Sequence, residues 1–171
     1  MSEIETFCRQ VRARSAEHRQ AMLVLRGLPG QMIPVLRQEL DSLVRVVFLL
    51  AQRDRSYRHR LIDDSVSGRR WCRRDSKQPV TDREMVDLTD TLHGWTKSVY
   101  AFGCAFIHLS NLHDHQARDP LDQITEAERK AILDHMRSYH GGPHGASPGF
   151  ADVVPYLPMV FTKIADNLEC Y

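Results

Sequence analysis

Apolar residues recur at steps of three and four along most of the chain, a period that belongs to helices and not to half-buried strands. The first stripe runs Ile4, Cys8, Val11, Ser15, His18, Met22 and Leu25, and stops at Gly27, Pro29 and Gly30, a break that few helices cross. A second runs Ile33, Leu36, Leu40, Leu43, Val47 and Leu50; its flanks Val44, Val46, Phe48 and Leu49 are apolar as well, which predicts the most buried helix of the fold. The pattern fades through RDRSYRHRLIDD into SVSGRRWCRRDSKQP, which reads as loop with at most a short helix.

Thr81-Asp82-Arg83-Glu84 fits a capping box, in which hydroxyl and carboxylate satisfy the free N–H groups of a helix start. From there Met85, Leu88, Leu92, Trp95, Val99, Phe102, Phe106, Leu109 and His113 keep the three-four step without a miss, so one long central helix is expected near 82–115. At about 1.5 Å per residue it would reach roughly 43 Å, unless Gly94 or Gly103 bends it. For Gly103 the expected role is close helix packing. A second box, Thr125 to Glu128, opens a helix that buries Ile132, Leu133, Met136 and His140 and stops at Gly141-Gly142. A last helix carries Leu157, Phe161, Ile164, Leu168 and Tyr171, with proline accommodated in its first turn. The pattern predicts an all-α, single-domain bundle of about five helices over residues 1–171.

The size suits that architecture, because 171 residues bury enough surface to hold one core without disulfide or metal staples. The longest apolar run, Val46 to Ala51, is far too short for a membrane span, and the MSEIETF start is acidic where a signal peptide is basic. A cytoplasmic protein with no membrane partner is expected. Cys8, Cys72, Cys104 and Cys170 form no CxxC pair and are expected as free thiols. The net charge of +1 hides an asymmetry: residues 1–77 carry 16 Lys and Arg against 9 Asp and Glu, whereas 119–171 carry 4 against 8. A basic and an acidic end suit an anionic partner or packing between two copies. Together with the long helix, which outreaches the ~30 Å of a small domain, they predict a homodimer.

Two groups of residues could carry chemistry. Residues 53–77 hold nine cations (Arg53, Arg55, Arg58, Arg60, Arg69, Arg70, Arg73, Arg74 and Lys77) interleaved with Tyr57 and Trp71, a composition suited to RNA phosphates and stacked bases. The competing reading is a solvated surface paired internally to Asp54, Asp63, Asp64 and Asp75. The second group is His108, Ser110, His113 and His115, with His93, His135 and His140 as possible neighbours from facing helices. Without HExxH or ExxH no metal or other cofactor is expected there; His113 is expected at the inner end of the bundle, bonded to Ser110 or a carboxylate. GxSxG nucleophile elbows and phosphate-binding glycine loops are missing from the sequence.

LRQELDSLVRVVFLL (36–50) with the following RDRSYRHRLI resembles the central helix of HEPN-type bundles, all-helical domains of toxin–antitoxin, abortive-infection and RNA-processing proteins. FIHLSNLHDH (106–115) is similar to a later helix of that group. The resemblance implies RNA as partner, in a defence, stress or mobile-element setting. In the family's active ribonucleases an arginine is followed after four to six positions by a histidine, and dimerisation joins two such pairs. Arg53-Asp54-x4-His59 has this spacing, which would make His59 the acid or base and Arg53 the stabiliser of phosphorane charge. It stands at the end of the second helix, whereas the family's motif lies near the start of a late one; there this chain has Ser110-x2-His113 with no arginine before it. Family members without the motif serve as non-catalytic partners. Whether the chain is an enzyme is therefore left open, the alternatives being a non-catalytic dimeric interaction or small-ligand-binding bundle and a metal-dependent bundle hydrolase.

Overall fold

A computed structural model describes residues 2–107 and 110–171, and among them shows helices with no strand. Seven helices of twelve residues or more are present: α1 (Glu3–Val24), α2 (Pro29–Ala51), α3 (Arg55–Val66), α4 (Asp82–His93), α5 (Thr96–Ile107), α6 (Glu126–His140) and, after a one-turn α7 (Phe150–Val153), α8 (Leu157–Glu169). The bundle is all-α as the periodicity predicts. None of these helices is long and apolar enough to cross a membrane.

The central element is α2. Ile33, Leu36, Leu40, Leu43 and Val47 are each at most 4% exposed, and α1, α4, α5 and α8 all pack on this helix. Leu50, the last member of the stripe, faces an open groove beside Ile4 and Tyr171. The buried side of α1 is partly polar. Its Ser15 hydroxyl donates to Glu39 Oε1 at 2.5 Å and His18 Nδ1 lies 2.7 Å from Oε2, so both oxygens of a fully buried α2 carboxylate are engaged. A serine and a histidine within an apolar stripe are thereby explained, since a buried carboxylate must find partners.

The single helix expected near 82–115 is two helices and a 3-10 turn. α4 begins on the Thr81/Glu84 capping box and ends at Gly94, whose φ of +71° is left-handed and open to glycine at no steric cost. Asp90 then starts the next helix, its Oδ1 accepting from the Thr96 hydroxyl at 3.2 Å and the Lys97 N–H at 3.1 Å. Met85, Trp95 and Phe106 are nevertheless buried, because α4 and α5 both lean on α2, whereas Leu92 of the expected stripe, in the last turn of α4, is 64% exposed. The stripe records a shared partner and not one continuous axis. Leu109 and His108 lie outside the described residues, and His113 sits in the 3-10 turn Asn111–Asp114. With twelve residues each, α4 and α5 no longer supply the length on which the homodimer expectation partly rested.

Gly103 fulfils its expected role. A Cβ at this position would lie 2.8 Å from Arg37 Cβ and 3.1 Å from Cγ and Cδ, so α5 reaches α2 only because the atom is missing. Gly103→Ala is expected to destabilise the fold by about 1–3 kcal/mol through overpacking, read from urea unfolding midpoints.

The capping boxes predict a dependence on acid. Glu84 is held below the usual carboxylate range first by the Thr81 backbone N–H, and Glu128 first by the Thr125 hydroxyl. A lowered carboxylate contributes stability that is present above its unfolded value, near 4.5, and is lost as pH falls through the folded one. Thermal melts of wild type and the Glu84→Gln/Glu128→Gln variant should therefore converge below pH 4.5 and separate above it.

Candidate nucleic-acid interface

The basic segment folds back on itself. Asp54 caps α3 by accepting from the Ser56 and Tyr57 N–H groups; after Gly68 the chain returns with Val80 N–H donating to Trp71 O and Arg73 N–H to Gln78 O. The Tyr57 hydroxyl donates to Cys72 O at 3.1 Å, and Arg60 reaches the carbonyls of Arg73 (3.0 Å) and Arg74 (3.3 Å). Trp71 is 4% exposed, lies tilted against Phe48 with ring centroids 6.0 Å apart and donates its indole N–H to Ser65 Oγ. The expectation that Trp71 and Tyr57 stack on bases is thus corrected: both rings are core, the Tyr57 hydroxyl tied to the returning chain at Cys72 and the Trp71 indole N–H tied back to Ser65 of α3.

Several arginines of the segment are engaged by carboxylates. Arg69 bridges Asp63 and Asp64, Arg73 pairs with Glu84 at 2.8 Å, and Arg74 lies 3.1 Å from Asp75 and 3.9 Å from Asp54. All four aspartates named by the competing sequence reading are used in this way. Arg70 is exposed, with no carboxylate within 4.0 Å among the described residues.

The returning chain forms one wall of a polar cleft of about 780 Å³, closed on its other sides by α1, α2 and the start of α4. Arg14, Arg45, Arg69, Arg70 and Arg83 line it together with Asp82. Arg14 and Arg45 pair with Asp41, Arg69 with Asp63 and Asp64, and Arg83 lies 4.0 Å from Asp87, so that of the five Arg70 alone has no carboxylate within 4.0 Å among the described residues. Arg45 lies over the Trp71 ring, 5.2 Å from its centroid, and is aimed by Asp41 at 3.0 Å and Asp82 at 3.4 Å. Behind the cleft wall, buried Arg37 stacks 4.0 Å over Tyr100 with Asp82 at 3.7 Å. Asp41 and Asp82 thus orient the partly exposed guanidinium of Arg45, whereas that of Arg37 is buried. Such a surface suits several phosphates. Its lining holds no histidine among the described residues, so it offers no group that titrates near neutrality for acid–base work.

The predicted catalytic pair lies elsewhere. Arg53 is exposed in the link between α2 and α3, while exposed His59 lines an apolar groove with Arg12, Arg19, Arg55 and Arg58 that Arg53 does not line. The histidine group is elsewhere again. Ser110 Oγ donates to Ala105 O at 2.6 Å, and the Ser110 N–H donates to His113 Nδ1 at 3.3 Å, giving the partner expected from sequence. His113 is exposed, however, with Phe106 at 5.8 Å, because the chain leaves the helix before reaching it; half-buried His115 rests on Phe150. His108 lies outside the described residues. Among the described residues no three His, Cys, Asp or Glu side chains are grouped to hold a metal ion.

Of the cleft, sequence reasoning found Arg69 and Arg70 but missed Arg14, Arg45 and Arg83. Each is a single cation on the polar side of a helix, and no local signal marks it. In comparisons with family models, with curated proteins and with solved structures, nothing matches the chain.

Burial separates the roles within the basic segment. Trp71→Ala should cost about 3–5 kcal/mol in urea unfolding, as a large core side chain, whereas Arg70→Ala should stay within about 0.5 kcal/mol of wild type.

Proposed function

We propose that this protein binds RNA through its phosphate backbone in the arginine-lined cleft, without sequence preference. The observation that carries the reading is the gathering of five arginines around a cleft of about 780 Å³, four of them aimed by Asp41, Asp82, Asp63, Asp64 and Asp87 and the fifth, Arg70, with no carboxylate within 4.0 Å among the described residues. Guanidinium groups held in place by neighbouring carboxylates suit the two-pronged geometry of phosphate oxygens. With Trp71 and Tyr57 buried, base stacking contributes little, and backbone charge sets both affinity and salt dependence. The HEPN-like stretches 36–50 and 106–115 support RNA as partner and a defence, stress or mobile-element role in the cytoplasm. The basic first half and acidic last third support a homodimer.

A second reading, metal-independent cleavage, is favoured by one feature: His59 is exposed in a groove that also carries Arg55 and Arg58. There His59 would shuttle the proton and a neighbouring arginine would neutralise the phosphorane.

Fluorescence anisotropy with unrelated single-stranded RNAs tests binding. Arg70→Ala/Arg83→Ala should weaken all of them alike and lower the slope of log affinity against log salt by about 1.4, or roughly 0.7 per lost phosphate contact. An unchanged slope would remove the cleft from the reading. His59→Ala should leave affinity unaltered, and loss of a metal-free cleavage activity in that variant would establish the second reading.

A further inference from the structure

On the face of α2 that carries Ile33 and Leu36, a small cavity of about 70 Å³ lies between α2, α5, α6 and α8. It has room for about two water molecules, or for a short alkyl group, since a water's share of liquid volume is roughly 30 Å³. Phe102, Ile132, Met136 and Leu157 make its walls apolar. An outer groove of about 520 Å³ runs past it, and Tyr139, His140 and Lys163 belong to the walls of both. These three side chains therefore stand where the apolar interior meets solvent.

Lys163 Nζ sits 3.7 Å from the centroid of the Tyr139 ring and 5.9 Å from that of Trp95. Among the described residues no carboxylate comes within 4.0 Å of it. Asp166, one turn further along α8, lines the outer groove but is held by Arg19 at 3.3 Å. Within the protein, the described groups that face the ammonium are the two aromatic rings, and its remaining contact is with solvent in the outer groove. Burial lowers the pKa of Lys163, and burial together with the Lys163 charge lowers that of His140. On the inner side, His135 Nδ1 is buried without a hydrogen-bond partner. Lys163 thus stands at the mouth of an apolar cavity that offers it no carboxylate among the described residues, with the His140 ring beside it, and this is the arrangement a small amphiphilic anion would complete.

We propose that this cavity is a binding site for a small carboxylic acid with a short apolar body, the body lying in the cavity and the carboxylate meeting Lys163 and His140 at its mouth. The site is separate from the arginine-lined cleft and does not depend on the RNA reading. Recognition divides as in other small-ligand pockets: apolar walls provide the transfer energy and one charge fixes orientation. A neutral molecule of the same shape would occupy the cavity but leave the ammonium unpaired.

Butyrate and butan-1-ol are the probes, titrated into the full chain while methyl signals of Ile132, Val99 and Val160 are followed by NMR. Butyrate should bind saturably with Kd near 1 mM or tighter, as about 4 kcal/mol of affinity implies, shifting these methyls, and butan-1-ol should bind roughly tenfold more weakly. Lys163→Met keeps the apolar stem and should reduce butyrate affinity to that of the alcohol, with alcohol binding unchanged. Lys163→Gln serves should the methionine variant fail to fold, and the wild-type comparison of acid with alcohol stands without either. Equal affinity for both probes, shifts confined to other methyls, or no saturation by butyrate would overturn the proposal.

Discussion

The requirement that α2 be covered on nearly every side governs this fold. Four long helices lean on it, so residues such as Leu40, Leu43 and Val44 have no exposed face to spare, and every polar group it carries inward must be satisfied within the protein. Glu39 shows the consequence. Its carboxylate is fully buried, and desolvating it would cost several kcal/mol, so α1 presents Ser15 and His18 where a simple amphipathic helix would present leucine. Arg37 meets the same constraint only in part, its Nε being buried without a hydrogen-bond partner among the described residues. Its stem occupies the space that Gly103 leaves, and its head rests between Tyr100 and Asp82.

The same helix supplies parts of both candidate sites. Ser42 and Arg45 line the polar cleft, while Ile33 and Leu36 line the apolar cavity. The cleft and the cavity differ in kind because their other walls differ: the returning basic chain closes one, and the apolar faces of α5, α6 and α8 close the other. Within the cleft, aspartates do not cancel the arginines; Asp41 and Asp82 hold Arg45 in place, a geometry that uses less side-chain entropy when a phosphate arrives.

Local signals were the ones legible in the chain. The Thr81/Glu84 and Thr125/Glu128 boxes start helices where the spacing placed them, because a capping box is made by residues three apart and needs no tertiary partner. The α2 stripe and the tight packing of Gly103 were legible for a related reason: burial of one face leaves a periodic mark. The break at Gly94 was not, since the three-four spacing runs on across the turn in the sequence, although Leu92 just before it is exposed. Nor was the fate of Trp71, where arginines on either side suggested a stacking surface and the indole instead fills the space beside Phe48.

What the sequence determined by itself, then, was the helical class, the most buried helix and the two helix starts at Thr81 and Thr125, all of which follow from periodicity and from hydrogen bonds between residues a few positions apart. Only the tertiary structure decided which charges stand together. Arg14, Arg45, Arg70 and Arg83 come from three helices and a loop, and Tyr139, His140 and Lys163 from two helices separated by a turn-rich segment. Their convergence depends on how α2 is wrapped, and a residue's distance from its partners across the core leaves no trace in its immediate neighbours along the chain.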